Sequence, residues 1–369
     1  MKITSVEPIL TQHVPLLVRM ETDAGITGIG ECLSDMTAMG ATAVKEMARY
    51  LESKDPCQIE HHWQAMYRDA FWRGGPALMA AISGCEMAMW DIFGKSVGLP
   101  IYKLLGGACR EKVRMYGHVG GNTPDAIRRS CEGALQRGLT AVKLCPIEQV
   151  KSLDSPRVIR NAGALMKAAR EAAGDDVDVM LDLHGRLSPA MSILIAEEVA
   201  PYRPFFLEEP CLPENVDAMA RVARQVMTPI ATGERLFTKF AFREVLEKQA
   251  AAVLQPDPSV CGGMLETKKI AAMAEAYYVS VAPHAPYGAV LLAACLHLDI
   301  CTPNFLIQEM TNLGGDLLTE PLEMKDGYCV APDKAGLGVE VDWEKVAARP
   351  YKGWDRPIFR HDDGSVADW

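Results

Sequence analysis

Val177-Asp178-Val179-Met180-Leu181-Asp182-Leu183-His184, then Phe205-Phe206-Leu207-Glu208 and Pro229-Ile230-Ala231-Thr232-Gly233-Glu234, are the stretches on which the fold turns. Each is a short apolar run closing on a carboxylate, and each reads as a buried strand. Between them, Pro189–Val199 and Val216–Val226 carry apolar residues at helical spacing. Strands alternating with amphipathic helices call for βαβ units and a parallel sheet. Working outward, Val113–Val119, Ala141–Cys145, Ala252–Pro256, Val279–Pro283 and Phe305–Gln308 bring the strands to eight, with further helices over Pro156–Ala173 and Met264–Tyr277. Polar or charged residues stand at or just past seven strand ends: Lys143, Asp182, Glu208, Glu234, Asp257, His284 and Glu309, at steps of 39, 26, 26, 23, 27 and 25. So regular a step predicts an α/β fold of the closed (β/α)8 TIM-barrel type, with all seven side chains at the C-terminal mouth, where such barrels do chemistry.

Upstream the texture differs. Lys2–Thr11, Leu17–Thr22 and Ile26–Cys32 read as an antiparallel meander turning at Asp23-Ala24-Gly25. Helical periods follow over Ala43–Leu51, Ile59–Phe71 and Leu78–Gly94, broken by Phe71-Trp72-Arg73-Gly74-Gly75-Pro76. The expected organisation is an N-terminal α+β capping domain over 1–111 and a barrel over 112–320. A length of 369 residues fits about two domains. With 49% hydrophobic and 23% charged residues the chain has the composition of a globular protein. Its 48 acidic and 38 basic residues leave a net charge of −10, which offers no footprint for nucleic acid or anionic membrane. The 11 cysteines include no C-x-x-C pair, and neither an apolar leader nor an apolar run of membrane-spanning length occurs. These features predict a cytoplasmic protein with reduced thiols.

At the mouth, Asp182, Glu208 and Glu234 end successive strands. Three carboxylates brought together repel one another unless a cation holds them, and oxygen-only ligands suit Mg2+, or Mn2+ in its place. The alternative is that one of them pairs with Arg235 or Arg203. His184 follows Asp182 at strand alternation and so shares its side. Asp257 and His284 end adjacent strands, and an Asp that fixes one imidazole nitrogen raises the basicity of the other. That makes His284 with Asp257 a candidate base and His184 a candidate acid. Lys143 is either a group for an anionic substrate or a surface lysine, and Glu309 a hydrogen-bonding neighbour of a developing oxyanion. His118 reads as structural. A divalent ion facing two histidines suits removal of the proton α to a carboxylate, followed by loss of a β-hydroxyl as water.

Together, Asp182-Leu183-His184-Gly185-Arg186, Leu207-Glu208-Glu209-Pro210, Gly233-Glu234-Arg235, Gln255-Pro256-Asp257, Ala282-Pro283-His284 and Gln308-Glu309 resemble the enolase superfamily in its mandelate-racemase-like branch, along essentially the whole chain. His184, the Phe71–Pro76 segment and the tail from Trp354 to Trp369 make it most similar to acid-sugar dehydratases, galactonate dehydratases among them. The resemblance implies that the segment 321–369 returns to the cap. It implies one Mg2+ per subunit on Asp182, Glu208 and Glu234, C2 proton abstraction by His284 with Asp257, loss of the 3-hydroxyl assisted by His184, and Glu309 stabilising the enediolate. The product would be a 2-keto-3-deoxy acid from an aldonate. It also implies substrate contacts from Lys143, Cys145, Arg73 and His13, and a homo-oligomer, either dimer or octamer. Where racemases of this branch carry Lys-x-Lys, the chain has Lys143-Leu144-Cys145, so a second lysine base is absent. The remaining readings are a racemase, epimerase or other isomerase of a 2-hydroxy acid, and a non-catalytic ligand-binding barrel.

Overall fold

Alternation of apolar and polar residues at the start of the chain produces β1 (Ile3–Ile9), β2 (Leu16–Thr22) and β3 (Thr27–Cys32), an antiparallel meander in that order. The computed structural model describes residues 1–12, 15–34, 37–69, 71–353 and 358–369. The meander is covered by α1 (Thr37–Leu51) and α3 (Pro76–Val97), with α2 (Ile59–Asp69) packed on those two helices and the short α4 (Ile101–Leu104) after them. Helix α3 opens on Pro76, whose missing N–H costs nothing in a first turn, and stops at Gly98 in the left-handed region. It is apolar nearly all round because it lies at the centre of the cap. Strand β3 rests directly on it: a Cβ on Gly28 or Gly30 would stand 2.2 or 2.0 Å from the carbonyl oxygen of Ala88 or Gly84.

The barrel runs β4 (Val113–His118), α5 (Pro124–Gln136), β5 (Ala141–Leu144), α6 (Pro156–Ala173), β6 (Asp178–Asp182), α7 (Pro189–Val199), β7 (Leu207–Glu208) and α8 (Val216–Gln225). It continues through β8 (Ile230–Thr232), α9 (Thr238–Glu247), β9 (Val253–Leu254), α10 (Met264–Ala276), β10 (Ser280–Val281), α11 (Ala289–Ile300) and β11 (Gln308–Glu309). Strands β4 to β10 pair in sequence, all parallel. A parallel bridge from Val281 to Phe305 and the pairing of β11 with β4 close the ring. Inside, Tyr116, Ala141, Met180, Phe206, Ala231, Val253, Ala282 and Ile307 form one buried layer, each from a different strand or the residue beside it. Bulky and small side chains share this layer, so the barrel is filled rather than hollow.

The segment after β11 adds a hairpin that periodicity did not reveal. It consists of β12 (Met324–Lys325) and β13 (Tyr328–Cys329), turning at Asp326-Gly327 with both φ positive. Strand β13 lies antiparallel to the start of β4, at the opposite end of that strand from the mouth. Beyond it, Leu337, Val339, Val341 and Val346 (the last in α12, Trp343–Ala347) join the apolar cluster of the cap, and Thr11 bridges Pro350. The cap core is thus built from both ends of the described chain. All 11 cysteines are free, and eight of them are buried. No helix among the described residues is long and apolar enough to cross a membrane.

Candidate active site

Two residues along from the buried layer, on the same side of each strand, the chain changes to polar and mostly ionisable side chains. Tyr116 leads to His118, Ala141 to Lys143, Met180 to Asp182, Phe206 to Glu208, Val253 to Gln255, Ala282 to His284 and Ile307 to Glu309. The strands that fill the core therefore build the site in the next layer.

Asp182, Glu208 and Glu234 each place a carboxylate oxygen so that the three lie within 4.8 Å of one another. Glu208 accepts from Lys143 Nζ and Gln255 Nε2, both at 2.7 Å. Asp182 accepts from the peptide N–H of His184 at 2.9 Å. Glu234 Oε2 is buried with no hydrogen-bond partner among the described residues. Such an orphaned oxygen beside two other carboxylates fits a hard divalent cation with oxygen ligands. Neither arginine competes for these groups: Arg235 pairs with Glu209, and Arg203 pairs with Asp175 at 2.7 Å on the surface.

His284 and His184 stand just past β10 and β6, which lie across the ring from one another. His284 Nδ1 is 2.9 Å from Asp257 Oδ2, and Asp257 Oδ1 accepts from Ser259 N–H and Oγ at 2.7 and 2.6 Å. With Nδ1 donating, Nε2 is turned inward, 3.5 Å from Glu234 and 3.8 Å from Glu309. Burial pulls the His284 pKa down, but the carboxylates of Glu234, Glu309 and Asp257 outweigh it and raise it to about 10. His184 sits at φ 48°, a left-handed turn just past β6. Its Nε2 lies 3.1 Å from Asp182 Oδ2, and its Nδ1 lies 3.5 Å from Cys145 Sγ. Burial again opposes the charge, and the Asp182 carboxylate carries the pKa up to about 10.

Glu309 is fully buried. Its Oε1 accepts from His118 Nε2 at 2.6 Å and pairs with Lys143 at 2.8 Å, while Oε2 accepts from the Ala285 N–H at 2.8 Å. Burial raises its pKa, yet Lys143, His284 and His118 hold it well below the usual range. Lys143 is not the surface lysine of the alternative reading: its ammonium is enclosed by Glu208, Glu309 and Asp182 (the last at 3.4 Å), where it neutralises the carboxylate cluster. Burial would lower its pKa, but those carboxylates raise it well above the ordinary value. His118, read as structural, is a neighbour of the site through Glu309. The Tyr116-x-His118 register, the same as Met180-x-Asp182, was the signal that would have placed it there. Arg73 lies exposed between α2 and α3, over the ring of Tyr67 at 5.7 Å, with no contact to these groups among the described residues. His13 lies outside the described residues.

Residues 126–346 match the enolase C-terminal domain-like family, and residues 3–106 match the mandelate racemase / muconate lactonizing enzyme N-terminal domain. The chain belongs to the enolase superfamily, in its mandelate racemase / muconate lactonizing enzyme group. Within it, the chain is 42% identical over 385 aligned positions to the D-galactonate dehydratase of Cronobacter sakazakii, covering all of both chains. It is equally identical to the D-galactonate dehydratase of Ralstonia pickettii, again end to end. It is therefore a D-galactonate dehydratase-like enzyme. Among solved structures, an enolase of Agrobacterium radiobacter with bound sodium and L-malate superposes over the whole of both chains with a TM-score of 0.93 at 30% identity. A member of the enolase superfamily from Salmonella Typhimurium matches with a TM-score of 0.91 at 31% identity, over 95% of this chain and 98% of that one.

Proposed function

We propose that this enzyme dehydrates an acid sugar of the aldonate class, galactonate or a close relative, to a 2-keto-3-deoxy acid. The observation that carries the reading is the pair of imidazoles facing each other across the carboxylate trio, one backed by Asp257 and the other by Cys145. His284 Nε2 removes the C2 proton, while Asp257 holds the ring in the required tautomer and balances the imidazolium that forms. The electron pair left at C2 spreads onto the carboxylate of the acid as an enediolate. Its collapse breaks the C3–O bond, His184 protonates the departing hydroxyl to give water, and the resulting enol tautomerises to the ketone. Glu309, held by Lys143 and His118, sets the charge beside His284. When bound on Asp182, Glu208 and Glu234, Mg2+ (or Mn2+) supplies stabilisation of the negative charge on the acid's oxygens and offsets the carboxylates that favour protonated His284. A 2-hydroxy acid, L-malate, bound to the Agrobacterium relative supports an acid ligand for this fold.

Incubating the enzyme with Mg2+ and a panel of C5 and C6 aldonates, galactonate included, should give an α-keto product that reacts with semicarbazide. No product from any member would sink the proposal. Exchange of the C2 proton with inversion, but without water loss, would make the enzyme an isomerase instead. The reading extends to a cytoplasmic homo-oligomer, a dimer or octamer. Support for the assembly is the exposed aromatic pair Phe71 and Trp72 on the cap, 82% and 85% accessible in the single chain.

A further inference from the structure

Two carboxylates of the cap, Glu31 on β3 and Glu86 on α3, are fully buried and take no part in the chemistry above. Each closes the N-terminus of a barrel helix. Glu31 Oε1 and Oε2 accept from the N–H groups of Gly288 and Leu291, both at 2.9 Å, at the start of α11. Glu86 Oε2 and Oε1 accept from Met264 and Leu265 at 2.7 and 2.9 Å, at the start of α10. Neither helix has a side-chain cap of its own; Gly263 and Gly288 stand at those positions. A Cβ there would lie 2.2 Å from Glu86 Oε2 and 2.3 Å from Glu31 Oε2, so each glycine leaves room for a carboxylate arriving from the other domain. All four oxygens accept from N–H donors and both face helix N-termini, the arrangement that suits an ionised carboxylate. Burial pushes Glu31 up to about 8 and Glu86 to about 7, against the pull of those N–H groups.

The two helices follow β9 and β10, and Asp257 and His284 lie in the loops that join each strand to its helix. Between Asp257 and α10 the cap adds three more bonds: Ser83 Oγ accepts from Gly262 N–H at 3.0 Å, Trp63 Nε1 donates to Gly262 O at 2.7 Å, and Leu33 N–H donates to Ser259 O at 3.3 Å. Ser259 is the residue that donates twice to Asp257. Between His284 and α11, the Glu31 bonds leave a span of only a few residues. Asp257 is close enough to Glu31 for its charge to raise the Glu31 pKa.

We infer that Glu31 and Glu86 are positioning residues, through which docking of the cap fixes the two loops that hold the Asp257–His284 pair in register. The inference rests on the proposed role of that pair as the base. The metal ligands stand on other strands, β6 to just past β8, so the two functions are separable. The test uses the full chain with Mg2+ and the variants Glu31→Gln and Glu86→Gln, which keep shape but set an amide N–H against a backbone N–H. Backbone hydrogen–deuterium exchange should quicken in peptides covering 284–291 for the first and 257–265 for the second, with β6, β7 and β8 unchanged. On a substrate found by the aldonate panel, kcat should fall about ten- to a hundredfold, with KM and Mg2+ affinity within about twofold of the parent. Unchanged protection in the two loops would overturn the inference. So would protection lost evenly across the barrel together with Mg2+ affinity, which is what a merely structural role predicts. If the Gln variants do not fold, Ser83→Ala removes a single bond, to Gly262, and should loosen 257–265 alone; no local change there overturns the inference equally. Failure of the wild-type enzyme on every acid would refute the proposed function, while the exchange experiment would still decide this inference.

Discussion

At the scale of single residues, the two imidazoles are set apart by what backs them. His284 is tied to a buried carboxylate that is itself held by two Ser259 donors, whereas His184 is tied to a metal-site carboxylate and a thiol. Their roles should therefore separate on mutation. His284→Asn should lower turnover by about 10²–10⁴-fold and stop exchange of the substrate C2 proton with ²H₂O, with Mg2+ binding intact. His184→Asn should leave C2 exchange running faster than water loss, because the proton can come off but the hydroxyl cannot leave. Proton exchange followed by NMR alongside keto-acid release checks both; equal loss of exchange and release in His184→Asn would contradict its role as acid. Most of these side chains were legible in the sequence, because a strand that alternates apolar residues and ends in Asp, Glu or His shows both its facing and its end. Lys143 was legible in place but not in partner. Nothing local to Lys143 reveals that Glu208 and Glu309, on strands far along the chain, close over its ammonium. His118 escaped for the converse reason: its partner Glu309 is brought beside it only when β11 pairs with β4.

Elements carry a second kind of information. Helix α11 buries His297, whose Nε2 donates to Leu337 O at 3.0 Å while Nδ1 accepts from the Tyr102 N–H at 3.4 Å. Both ring nitrogens are thus used in the neutral form, and burial lowers the pKa from 6.5 to about 4. Between these values the unfolded chain binds the proton and the folded chain does not. The contribution of His297 to stability is therefore full above pH 6.5 and is lost as the pH falls through 4, by up to about 3 kcal/mol. Urea unfolding of the parent and of His297→Gln between about pH 7 and pH 5 should show the parent losing the more stability on acidification. Parallel slopes would mean that His297 takes up its proton as readily in the folded protein as in the unfolded chain. The helices themselves were readable where caps and periods agree. Helix α6 (Pro156–Ala173) and α7 (Pro189–Val199) begin on Pro and have the bounds their spacing predicts. The β12–β13 hairpin was not readable, because two-residue strands have no period and exist only through pairing with each other and, for β13, with β4.

For the whole molecule, the repeating step between strand ends made the barrel legible, since one strand, one helix and two loops consume a nearly fixed length of chain. What no step could show is how the cap engages the mouth. That depends on long-range bonds such as Glu31 to Gly288 and Glu86 to Met264, made by glutamates that look in sequence like any others. The same global closure concentrates buried negative charge. Asp182, Glu208, Glu234, Glu309 and Asp257 converge, and Lys143 is the ammonium enclosed among them. Repulsion between buried carboxylates works against the folded state, and a cation bound only to that state adds stability by mass action, about 2.7 kcal/mol at a hundred times its Kd. Chelation should therefore abolish turnover and also lower the thermal midpoint, and added Mg2+ should restore both. In Glu234→Gln, whose parent oxygen is the orphan of the trio, the Mg2+-dependent rise should shrink or vanish. The metal-free variant should be no less stable than the metal-free parent, because one repelling charge has gone. Scanning calorimetry of both proteins with and without Mg2+ measures all four states. An equal Mg2+-dependent rise in Glu234→Gln would place the ion somewhere other than on these three carboxylates.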